Sequence, residues 1–103
     1  MTAKVYLGNS PHIVKCVRPV DENGNEGEPL QRYVHIGMFV DTVLFGELVN
    51  FYIYTNSIKF YCTAPGEYEI INNSARTITV IVEDDYRDIQ PGERITVSIR
   101  TWK

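Results

Sequence analysis

The chain is poor in helix-forming residues. Alanine and leucine are few, and no stretch approaches the roughly 18 consecutive apolar residues that a membrane-crossing helix requires. The opening MTAKVYLGNSPHIV has no apolar core of a signal peptide, so classical export is not expected and the cytoplasm is the expected location. Clustered cations are also missing. The chain has 10 Lys and Arg against 13 Asp and Glu, net −3, and no basic run reaches three. Neutralising phosphates takes grouped Lys and Arg, so nucleic acid is not an expected partner. Cysteine is limited to Cys16 and Cys62, both in apolar, strand-like contexts. Two reduced, buried thiols are the expected state, with a disulfide joining two sheets as the other reading.

Catalytic fingerprints are lacking too. There is no G-x-S-x-G elbow, no Walker loop and no dinucleotide-binding glycine pattern, so no enzyme activity, catalytic residue or cofactor is expected. Asp21, Asn23 and Asn25 match positions 1, 3 and 5 of a calcium-binding EF loop, but Glu26 stands where glycine is needed and Arg32 where a glutamate is needed. A hairpin loop is the better reading. His12, Cys16, His35 and Cys62 carry zinc-binding atoms, yet residues four apart on a strand lie about 13 Å apart, so His12 and Cys16 do not converge. No metal residue is assigned. Asn72-Asn73-Ser74 matches a glycosylation acceptor, which means little without secretion.

What the sequence does hold is β-branched and aromatic residues in alternation. Aromatics make up 12%, and hydrophobic residues at 44% are enough for one core in a chain of 103 residues. In TITVIV (77–82), Ile78, Val80 and Val82 share a face opposite Thr77, Thr79 and Ile81. In RITVSIRT (94–101), Ile95, Val97 and Ile99 share one. This period of two predicts strands with one wet side. KVYL (4–7), HIVKCVR (12–18), IKFYC (58–62) and YEIIN (68–72) read as further strands. LQRYVHIG (30–37) reads as a strand returning from the Asn-Gly loop 20–29, which Pro19 and Pro29 place at an edge or rim. The segment 38–55 reads as two strands, about 39–45 and 48–55, turned at Phe45-Gly46-Glu47, with a helical turn near 40–45 as the alternative. Pro65-Gly66 and Pro91-Gly92 have type II turn chemistry. The whole predicts a single all-β domain over 1–103: an antiparallel β-sandwich of about seven to nine short strands, immunoglobulin-like, with a small β-barrel as the alternative.

Two features are candidates for function. Glu83, Asp84, Asp85 and Asp88, in EDDYRD, read as a solvated turn between two strands, with a weak cation site as the other reading. FYIYTNSIKFY (51–61) is aromatic-rich: with Phe51 and Ile53 in the core, Tyr52 and Tyr54 face outward, and Tyr61 lies close by. Tyr52, Tyr54 and Tyr61 are the candidate interface, either for protein or as stacking platforms for carbohydrate.

The segment NNSARTITVIVEDDYRDIQPGERITVSI (72–99) resembles the closing strands of immunoglobulin-like β-sandwiches, including decoration or cement-type accessory proteins of tailed-phage virions. It covers about a quarter of the chain and rests on turn chemistry, so it brings over no functional residue. The Trp that an immunoglobulin disulfide pin packs against is not between the cysteines; the only Trp is Trp102. The resemblance implies a non-enzymatic module docking on a larger assembly, such as a capsid, or forming a homo-oligomer. A small carbohydrate- or ligand-binding module is the alternative.

Overall fold

A computed structural model describes residues 2–9, 13–29, 33–36, 39–44, 47–61 and 63–100, with side chains described for all of these except those within 33–48. Among the described residues there are ten strands and no helix: β1 (Thr2–Leu7), β2 (Val14–Pro19), β3 (Tyr33–Ile36), β4 (Phe39–Leu44), β5 (Glu47–Ile53), β6 (Ser57–Phe60), β7 (Gly66–Asn72), β8 (Ile78–Val82), β9 (Asp85–Ile89) and β10 (Arg94–Ile99). They form two sheets, β10-β7-β1-β2 and β3-β4-β5-β6-β8-β9. The β-sandwich reading holds, and the sheets remain separate rather than closing into a barrel.

The alternation read from sequence becomes one core between the layers. On the four-stranded sheet, Val17, Val5 and Ile70 stand in one cross-strand row, all at 0% exposure. On the six-stranded sheet, Ile53, Ile58 and Val80 form the facing kind of row. Burying each such side chain is worth about 1.5–3 kcal/mol. The layers meet through aromatic rings: Phe60 of β6 lies 5.5 Å from Tyr68 of β7, and Phe51 packs edge-on at 4.9 Å against Phe60.

Several connections differ from the sequence reading. Two strand pairs, β1–β7 and β6–β8, run parallel, so the sandwich is mixed. Parallel neighbours need a crossover, and β7 supplies it by leaving the sheet of β6 and β8 for the other layer. Pro65-Gly66 therefore lies on a passage between sheets, and Gly66 has a φ of 153°, far from a type II value. Pro91-Gly92 is the turn expected: Glu93 N–H donates to Gln90 C=O at 3.0 Å and Gly92 has a φ of 85°.

Loop 20–29 is not a hairpin between β2 and β3, which lie in different sheets. Instead the chain turns on Asp21, whose carboxylate accepts the N–H groups of Asn23 and Asn25 at 2.9 and 2.8 Å. It then returns to β2, where Gly27 N–H donates to Pro19 C=O. The EF-like spacing of Asp21, Asn23 and Asn25 is thus an Asx turn. In segment 38–55 the two-strand reading holds: Leu44 pairs with Glu47, and the helical alternative is overturned; Phe45 and Gly46 of the expected turn lie outside the described residues.

Candidate interaction surface

The register places an aromatic row on the outer face of the six-stranded sheet. Tyr52 of β5 stands opposite Lys59 of β6, Lys59 opposite Ile81 of β8, and Ile81 opposite Tyr86 of β9. Tyr61 follows β6 and packs on Tyr52, with ring centroids 4.8 Å apart and planes inclined at 48°. Tyr61 is 40% exposed and Tyr86 68%. With strands about 4.8 Å apart, the row from Tyr52 to Tyr86 spans roughly 14 Å. Tyr54 is also 40% exposed, but it sits past the end of β5, where its N–H donates to Ser57 C=O in the β5–β6 turn. The structure therefore brings Tyr52 and Tyr61 together, sets Tyr54 at the rim, and adds Tyr86.

Tyr86 escaped the sequence reading because EDDYRD was assigned to a turn. Only Glu83 and Asp84 form the turn; Val82 pairs with Asp85, and Asp85–Ile89 is a strand. Alternation along β9 then separates the acids. Asp88 lies on the outer face, accepting the Thr79 hydroxyl at 2.7 Å. Asp85 lies on the inner side with Arg87, to which it is paired at 3.3 Å. No three His, Cys, Asp or Glu side chains come together as metal ligands among the described residues.

A cleft of about 420 Å³ lies on the other sheet and is lined by Tyr6, Cys16, Arg18, Glu26 and Asn73. Its groups are already committed to holding loop 20–29. The Tyr6 hydroxyl donates to Glu26, Lys4 lies 3.7 Å from Glu26, and Arg18 donates to Gly27 C=O. Burial raises the Tyr6 phenol to about 12, helped by the Glu26 hydrogen bond and charge. Tyr6's hydrogen bond, then Lys4 and Arg18, hold the Glu26 carboxyl below its usual range. Cys16 is a free, half-buried thiol beside them. Cys62 and His12, and the side chain of His35, lie outside the described residues.

The glycosylation match is structural. Asn72 is fully buried; its amide donates to the carbonyls of Arg76 and Ile89 at 2.8 and 2.9 Å, and its oxygen accepts the N–H and hydroxyl of Ser74. No nitrogen is left to carry a sugar.

No family model matches the chain, and neither does any curated protein or solved structure.

Proposed function

We propose that the protein is a non-enzymatic interaction module that docks on a larger protein assembly, a virion among those it would suit, through the Tyr52–Tyr61–Tyr86 face. The observation that carries this reading is the cross-strand row Tyr52–Lys59–Ile81–Tyr86, with Tyr61 stacked at its end. Tyrosine offers large contact area with few rotatable bonds and a polar tip, and aromatics concentrate at the centres of interfaces. The strands beneath hold those rings in register before any partner arrives, which lowers the ordering cost of binding. A protein surface suits the face better than a sugar. The Tyr52 and Tyr61 rings are inclined at 48° and form a ridge rather than a flat stacking platform, with the exposed Lys59 beside them.

The test is mass in solution under native conditions, alone and in the source lysate, for the wild type and a Tyr61→Ser/Tyr86→Ser variant. The reading expects a defined assembly that the variant leaves while its far-UV circular dichroism stays unchanged. A wild type that remains monomeric in lysate, with tyrosine fluorescence that shifts on adding sugar, would instead establish the carbohydrate-binding alternative.

A further inference from the structure

The two sheets leave edge strands, and an edge is a row of unpaired backbone donors and acceptors ready to accept another strand. Three of the edges are described with their side chains, and they differ. The β2 edge is covered by its own loop: Gly27 donates to Pro19, and Val20 bridges to Glu26. The β9 edge carries charges turned inward. The apolar row Ile53–Ile58–Val80 ends on Arg87, paired to Asp85, an arrangement that resists strand addition. Among the described residues the β10 edge has neither defence. Arg94–Ile99 contains no proline, turns Val97 and Ile99 into the core, and leaves Thr96 and Ser98 outside.

Along β10 runs a crevice of about 280 Å³, between this edge and β9 of the facing sheet. Val82, Asp85 and Arg87 line one side, and Thr96, Val97, Ser98 and Arg100 the other. The cations near it are not equivalent. Arg87 is matched by Asp85, and Arg94, at the far end of β10, by Glu69 at 3.5 Å. Arg100 is exposed and has no ion-pair partner among the described residues.

The geometry points to β10 as an acceptor for an added strand: an extended segment of a partner protein, with apolar side chains alternating over Val82 and Val97 and a carboxylate placed to meet Arg100. Backbone pairing along the edge supplies affinity, and the crevice and Arg100 supply selection. The carboxylate preference follows from Arg100 being unmatched among the described residues; Glu83, Asp84 and Asp85 near the same end make a densely acidic segment a poorer fit than one with a single well-placed acid. This site deepens the docking reading above but lies apart from the tyrosine face.

The experiment adds two short synthetic peptides to the intact protein and follows amide hydrogen exchange residue by residue. One is built of alternating valine and threonine with a single glutamate near one end; the other has lysine in place of the glutamate. Slowed exchange along 94–99 with the glutamate peptide, weaker with the lysine peptide, is the expected result. Arg100→Glu should weaken the glutamate peptide about tenfold, the worth of one charge-assisted hydrogen bond. No slowing along β10, equal slowing by both peptides, or binding insensitive to Arg100→Glu would overturn the site. The Tyr61→Ser/Tyr86→Ser variant should retain the full β10 response, so failure of the tyrosine face and failure of the edge site are told apart.

Discussion

The Tyr68 hydroxyl donates to the Ala64 carbonyl at 2.6 Å, and both residues are completely buried. Three residues separate them, and between them the chain leaves the six-stranded sheet for the four-stranded one. This is the tyrosine-corner arrangement that pins such crossings in β-sandwiches. Tyr68→Phe keeps the ring against Phe60 but orphans a buried carbonyl. It should lower stability by roughly 1–3 kcal/mol, read as a lower urea midpoint at unchanged slope. Tyr68→Ala removes the ring as well and should cost about 3–5 kcal/mol.

Asn72 ties three segments with one side chain: the strand end at β7, the 73–76 turn and the end of β9. Asn72→Ala would take this donor from the buried Ile89 carbonyl, a loss of roughly 1–3 kcal/mol, while the Arg76 carbonyl keeps the Ser74 hydroxyl. Asn72→Asp should be no better, since it replaces a donor with an acceptor facing the same carbonyls. Thermal melts would check both variants. A protein expressed through a secretory route should also show no added glycan at Asn72 by mass spectrometry.

Glu83 has a φ of 54°, the left-handed region, because the two-residue β8–β9 turn demands it. A side chain there costs about 1–2 kcal/mol relative to glycine. Glu83→Gly should therefore raise stability, by about 1 kcal/mol once the greater freedom of the unfolded chain is subtracted. A fall in the melting temperature would contradict the assignment of strain to this residue.

Loop 20–29 should loosen at both ends of the pH scale. Glu26 has a lowered pKa in the fold, so its contribution is present above the ordinary carboxyl value of 4.5 and fades as pH falls below it. Tyr6 has a raised pKa, so its contribution is present below the ordinary 10.0 and is lost as pH rises from there through about 12. Limited proteolysis within 21–27 should be slowest between those limits. Tyr6→Phe should accelerate cleavage at neutral pH and abolish the alkaline rise.

Alternation carried most of the architecture into the sequence. Ile78, Val80 and Val82, like Val97 and Ile99, turned inward as their spacing required, because a pleated strand leaves no other arrangement. What could not be read was pairing between distant strands. Nothing near Thr2 announces that β1 lies parallel to residues 67–72, since that partnership is decided by the packing of whole sheets. The same limit hid the surface. Tyr52 and Tyr61 were legible because they are near neighbours on one hairpin. Tyr86 was masked by its acidic neighbours, whose composition looks like a turn while their backbone continues the sheet. The Asn-Gly of loop 20–29 misled in the opposite direction: its turn chemistry was right, but it closes the loop onto β2 instead of leading to a paired β3.

The place of β1 has a consequence for biogenesis. This first strand is flanked by β2 on one side and by β7 on the other, with Thr2 opposite Glu67. A ribosome adding roughly 5–20 residues per second needs several seconds to deliver β7 after β1 has emerged. Until then the β1–β2 hairpin presents a bare flank that a chaperone, or another nascent chain, could occupy.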